Sequence, residues 1–218
     1  MSLYLDDNYE FSDKFLYPLK MAKEVPPNEG ATSEYITKRL TAIADLVVNF
    51  AAAKTHNLLD PLDTIEDYDD LFYIMPKPDC IRTWQKDRIF AEQRLSGVHP
   101  NWIRRCLKVD PTFEPFLDES LRKLVGSQLV ASIKADALYV SDYREILTDV
   151  PVGTWEGNQK HLSSCVGYFI WRDIQYGDRG ELFPVLIVIN GVAVSPADPD
   201  WACAKLHFQV ADANVHET

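Results

Sequence analysis

The sequence lacks most of the short signatures that would announce a self-contained catalytic site. No two of its five histidines (His56, His99, His161, His207, His216) lie three to five residues apart, so the paired helical histidines of a metal hydrolase are absent. No GxSxG elbow, GxxxxGK[ST] loop or GxGxxG turn occurs, which removes the usual serine-hydrolase, P-loop and dinucleotide-binding readings. The four cysteines (Cys80, Cys106, Cys165, Cys203) form no CxxC pair. They are expected to be free, buried thiols in a reducing compartment, and Cys106 and Cys203 fall in helical patterns of buried character. No Lys/Arg-rich run offsets the net charge of −11, so a nucleic-acid backbone would be repelled on average. The opening MSLYLDDNYEF has no basic region followed by an apolar core, and no run of about 18 apolar residues follows anywhere. Neither a signal peptide nor a spanning helix is expected, and the expected location is cytoplasmic.

What is present is a heavy aromatic load of 11%, with five Trp, ten Tyr and ten Phe in 218 residues. Large buried surfaces or an interface follow from that load. Residues 1–31 are loop-like, broken by Pro18, Pro26, Pro27 and Gly30. The spacing of Ile36, Leu40, Ile43, Val47 and Phe50 predicts a helix from about Ser33 to His56, capped by Thr32 or Ser33. A short acidic helix is expected over DTIEDYDDLF, its carboxylates forming a solvated face. A further helix is expected over about 79–95, stopped by Gly97, and another over 118–136.

The character then changes. ALYVSDY (137–143), HLSSCVGYFIW (161–171) and LFPVLIVIN (182–190) are rich in β-branched and aromatic residues and read as strands. RDIQYGDRGE suits a hairpin connection between the last two. LFPVLIVIN is apolar on both faces, so both faces should be covered, and Pro184 should lie near its start or at an edge. The expected fold is mainly α with a small antiparallel β-sheet. Within one partial domain (1–218), residues 1–136 are helical, 137–200 hold the sheet and 201–218 begin a long helix.

That last segment, WACAKLHFQVADANVHET, carries two stripes. Trp201, Ala204, Phe208, Ala211 and Val215 are apolar at helical spacing. Lys205, Gln209, Asp212 and His216 fall within a narrow arc, because steps of four, three and four residues return nearly to the same angle. This polar stripe is either a solvated face or a buried network. No glycine, proline or basic residue closes the helix.

The run W-x-x-A-K-x-x-x-x-x-x-D-x-x-x-H, from Trp201 through Ala204, Lys205 and Asp212 to His216, resembles the long central helix of lipoxygenases. IFAEQRLSGVHPNWIRRC is similar to that family's F-x-x-Q-x-L-x-G-x-N-P-x-x-I-x-R, with His99 where Asn is usual. ALYVSDYREIL resembles the strand ending in Asp-Tyr, and HLSSCVGYFIW and LFPVLIVIN resemble the strand pair before the central helix. The likeness is close over about 79–218 and weaker over 33–75.

The resemblance implies the N-terminal half of a lipoxygenase catalytic domain of the compact bacterial type, without the family's lipid-binding β-sandwich. In the family the helix continues as H-x-x-x-x-H-x-x-x-x-H, the second and third histidines binding non-haem iron. His216 matches the first. The expectation is therefore that this chain supplies no catalytic residue and no metal ligand. The iron would be held by a second chain carrying the C-terminal half, in an obligate heterodimer that oxygenates a polyunsaturated fatty acid with O2. Five-residue ligand spacing advances about 140° beyond a full turn on a regular helix, so a local π-type turn would be needed to bring both ligands to one ion. Glu217 matches a position that hydrogen-bonds towards the ligand set, or else is an exposed carboxylate. His216 would be structural beside it. Ala213 matches a position that sets substrate depth, or else serves helix packing. Tyr35 and Ile36 would lie on a lid helix of about 33–56 over the substrate channel. The alternative is a non-catalytic lipid-binding or scaffold subunit of the same fold, or a split enzyme acting on another polyene.

Overall fold

The computed structural model describes residues 11–12, 21–23, 30–147, 150, 152–155, 157–173 and 180–217, with the side chains of residues 11, 12, 21, 22, 155, 173, 216 and 217 outside that description. It divides into two compact units, Met1–Lys77 and Pro78–Thr218.

The first unit contains a short antiparallel pair, β1 (Phe11–Ser12) and β2 (Met21–Ala22), and one long helix, α1 (Ser33–Leu59). Thr32 caps α1 as expected, its hydroxyl oxygen accepting the Tyr35 N–H at 3.2 Å. The short acidic helix is a 3-10 helix, Glu66–Leu71. Asp67 explains its start: one carboxylate oxygen accepts the N–H groups of both Asp63 and Thr64. The returning chain is pinned to α1 by buried Asn49. Its amide donates to the Leu71 carbonyl at 2.8 Å and accepts the Ile74 N–H at 2.8 Å. The apolar stripe that predicts the helix is exposed: Ile36, Leu40, Ile43, Val47 and Phe50 lie between 47% and 62% exposed. The returning segment covers the side of α1 that carries Asn49 and Ala53 instead.

The second unit is built on a five-stranded antiparallel sheet in the order β3 (Arg104–Arg105), β4 (Leu138–Asp142), β7 (Cys165–Asp173), β8 (Gly180–Ile189), β9 (Val192–Val194). Its helices are α2 (Asp87–Ser96), α3 (Glu114–Val125), α4 (Val130–Asp136), the single turn α5 (Arg144–Leu147) and α6 (Trp201–Glu217). A separate two-residue pair, β5 (Thr154–Trp155) and β6 (Asn158–Gln159), lies in the connection before β7. Residues 174–179 of the predicted hairpin connection lie outside the described residues.

Period-two alternation sorts the central strands between two cores. Cys165 and Phe169 of β7 join Phe90 of α2 and Phe208 of α6 on one face, while Val166, Tyr168 and Ile170 join Leu117 and Leu121 of α3 on the other. β8 is buried on both faces, as its unbroken apolar run requires. Gly167 permits the close approach of α6, because a Cβ there would stand 2.7 Å from the Phe208 ring. Pro184 sits in the fifth position of β8, not at its start, and β9 pairs only with Ile187–Ile189. Pro184 is therefore at an edge position on the β9 side of the strand, where a missing N–H is tolerated. There the register to β7 shifts, with Tyr168 opposite Leu186 and Phe169 opposite Pro184, so Val185 is the extra residue of a bulge. The Ser120 hydroxyl of α3 donates to the stranded Val185 carbonyl at 2.5 Å.

Two expected helices are each broken. The segment 79–95 is a 3-10 turn, Asp79–Arg82, followed by α2. The segment 118–136 is α3 and α4, separated at Gly126, whose φ of 85° and ψ of 152° suit glycine alone. Cys106 lies beside β3 rather than in a helix, and Cys80 is exposed rather than buried. All four thiols are free.

Candidate functional site

The polar stripe of α6 is a buried network. Lys205 and Asp212 are 3% and 2% exposed, and each polar residue of the stripe from 205 to 212 meets α2 or the chain just before it. At the first level the Trp201 indole N–H donates to Asp87 Oδ1 at 2.7 Å. Lys205 Nζ lies 2.8 Å from that same oxygen and also donates to the Gln85 carbonyl. One turn on, the Gln209 amide N–H donates to Gln93 Oε1, and its own oxygen accepts from Arg94 Nη2 at 2.5 Å. At the third level Arg94 Nη2 stands 3.0 Å from Asp212 Oδ2, with both side chains 3% exposed or less. Asp212 Oδ1 accepts the Tyr143 hydroxyl at 2.5 Å.

Aromatic rings enclose the third level. The Arg94 guanidinium lies 5.1 Å from the Phe90 and 5.1 Å from the Phe208 ring centroids, a cation–π arrangement in a desolvated place. Trp102 stacks on Tyr143 at 5.7 Å and 9°, and its indole N–H donates to the Asp142 carbonyl at 2.8 Å. Burial lowers the Arg94 pKa, and the neighbouring Asp212 opposes that shift. Burial first, and then the hydrogen bond to Asp212, raises that of Tyr143. Neither group can exchange a proton near neutral pH: a guanidinium does not deprotonate there, and the phenol is held protonated. Arg94 and Tyr143 thus hold Asp212 by charge and hydrogen bond.

On another side of α6, Ser163 Oγ and His207 Nδ1 are 2.9 Å apart. Ser163 is 5% exposed, so this pair is buried. Cys165 is fully buried and its thiol is pushed up to about 12 by burial alone, so it is no nucleophile.

The predicted site residues fall as follows. Ala213 is exposed on α6. Tyr35 and Ile36 are 53% and 47% exposed on α1, within the first unit. The side chains of His216 and Glu217 lie outside the described residues, although their backbone continues α6. Among the described residues no three His, Cys, Asp or Glu side chains converge as a metal site. The described donor set therefore does not fit an iron ion.

Gln93 and Tyr143 stand in the resembling segments, as the Q of F-x-x-Q and the Tyr of Asp-Tyr, whereas sequence reasoning assigns no part to Asp87 or Arg94. One signal was available: Arg94 follows Phe90 by four residues, which places a cation on the apolar face of α2.

No family model matches the chain. Over 144 residues it is 28% identical to the arachidonate 12-lipoxygenase of 12R type from Mus musculus, covering 62% of this chain and 20% of that protein. Over 172 residues it is 26% identical to the linoleate 9/13-lipoxygenase of Pseudomonas aeruginosa, covering 71% of this chain and 24% of that one. Among solved structures, its fold matches a LOX variant with a TM-score of 0.70 at 19% identity, over 96% of this chain and 34% of that chain. It also matches a calcium-dependent 11R-lipoxygenase with a TM-score of 0.59 at 24% identity, over 78% of this chain and 26% of that chain. The chain thus spans a fifth to a quarter of the length of these curated relatives.

Proposed function

From a chain that resembles the lipoxygenases in sequence and shares their fold over this stretch, we propose that these residues form the N-terminal portion of a lipoxygenase-like dioxygenase. Both units belong to one partial catalytic domain in this reading. The substrate is a polyunsaturated fatty acid, the metal is non-haem iron, and the location is cytoplasmic. The ligands come from sequence outside these 218 residues, on a second polypeptide that pairs with this one. This chain contributes pocket wall through Ala213, a lid through Tyr35 and Ile36, and support for the ligand set through His216 and Glu217.

The observation that supports the reading best is α6. Its Trp201, Lys205 and Asp212, which carry the sequence resemblance, are also residues whose side chains tie the helix to its surroundings. A second apolar side of the same helix, with Leu206 half-buried and Val210 39% exposed, favours a further chain segment packed on it. The test is to isolate the chain with whatever accompanies it in its source. Metal content, O2 uptake and conjugated-diene formation are then measured with linoleate and arachidonate. Stoichiometric iron and diene formation are expected, both lost when the accompanying chain is removed. A folded assembly that binds the fatty acid but holds no metal and consumes no O2 would be a lipid-binding scaffold, and the proposal would fall.

A further inference from the structure

α6 is apolar on more than one side. Trp201, Ala204, Phe208, Ala211 and Val215 are buried against the sheet and α2, while Leu206, Val210 and Ala213 occupy another arc. Hydrophobic burial specifies the rotation of an amphipathic helix because only one face is apolar. A helix with apolar residues on opposing arcs is specified weakly by burial, and something directional must choose. The groups able to do so are Lys205, Gln209 and Asp212, and their partners on the α2 side ascend in the same order: Asp87 for Lys205, Gln93 and Arg94 for Gln209, and Arg94 for Asp212. The two helices therefore ascend in the same sense, with the polar groups about one turn apart on α6 and their partners on α2 at Asp87 and at Gln93 and Arg94. A slip of one residue moves α6 by about 1.5 Å and turns it by about 100°, which breaks every rung together.

We propose that this ladder is a registry device, and that Arg94, which grips Gln209 and Asp212 through one nitrogen, is the positioning residue that fixes the rotation of α6. Buried ion pairs add little net stability, and their best-attested role is to select one register among several of similar burial. The consequence is directional. The rotation set at Asp212 decides where residues 213–217 and any continuation of the helix point. That consequence for oxygenation rests on the reading proposed above; the register itself does not.

The test measures a distance on the full chain. Spin labels are attached through Ser96→Cys on α2 and Asn214→Cys on α6, both exposed positions, with Cys80→Ser and Cys203→Ser to remove the more accessible native thiols. A single narrow distance is expected with Arg94 and Asp212 intact. In the double variant Arg94→Met with Asp212→Leu, a cooperative fold with a second population displaced by roughly 5 Å is expected, as a 100° turn moves a residue on the helix surface. Asp212→Asn keeps the hydrogen-bonding shape and removes the charge, so it decides the matter if the double variant does not fold; broadening towards the second distance is expected there too. One unchanged narrow distance in whichever of these variants folds would mean that packing alone sets the rotation, and would overturn the proposal. The measurement needs no metal and no substrate, so its failure is distinguishable from failure of the oxygenase assay.

Discussion

Replacing Arg94 with methionine removes the positive member of a pair whose side chains are 2% and 3% exposed. Asp212 then keeps a single described partner, the Tyr143 hydroxyl, and a carboxylate is left buried without a counter-charge. Breaking a buried pair from one side destabilises by about 3–5 kcal/mol, and the lost bond to Gln209 adds roughly 1 kcal/mol. Methionine fills much of the arginine stem's volume, so a large cavity contribution is not expected. Urea unfolding followed by tryptophan fluorescence reads the change. With a slope near 3 kcal/mol per molar, the upper end for a chain of this size, the midpoint should fall by about 1–2 M. The double variant Arg94→Met with Asp212→Leu removes both charges and should recover most of that loss, ending near wild type or above it. A single variant that unfolds within about 0.3 M of wild type, or a double variant as unstable as the single one, would refute a buried, charge-balanced pair. Either result would mean that Asp212 is solvated, or that the pair is strongly stabilising in its own right.

Gly126 has φ of 85° and ψ of 152°, so Gly126→Ala should destabilise by about 1–3 kcal/mol through backbone strain, read as a lowered thermal midpoint. Gly167→Ala should be at least as damaging, because its Cβ would meet the Phe208 ring at 2.7 Å. Adding Phe208→Leu should recover part of the loss, and strict additivity in the double-mutant cycle would refute direct contact. Asp198 is held below its ordinary value of 3.8 by the Ser195 hydroxyl and backbone N–H. A depressed carboxyl contributes fully above its unfolded value and loses that contribution as pH falls through the lower folded one. Ser195→Ala should move the Asp198 carboxyl titration, read by NMR, back towards 3.8. In the active assembly, Ala213→Phe should leave the fold intact, since the position is exposed, and should change the ratio of positional products; an unchanged ratio would remove Ala213 from the pocket.

Much of the architecture follows from local sequence. The hydrophobic period marks α1, the central strands and α6, and the two-sided apolar run of β8 requires the helices found on both its faces. Thr32 and Gly97 mark helix ends through cap chemistry that operates within a few residues. Where a helix pattern continued through Gly126, period alone hid the break, because apolar spacing does not report φ. The polar stripe of α6 is visible as a pattern, yet pattern cannot distinguish a solvated face from a buried one. That distinction belongs to the partners, which lie more than 60 residues away: Asp87 for Lys205, and Arg94 and Tyr143 for Asp212. A charge is tolerated at 2% exposure only when tertiary structure delivers its counter-charge. Local order was thus readable from the chain itself, whereas the pairing of buried charges became definite only once the sheet had brought α2 and α6 together.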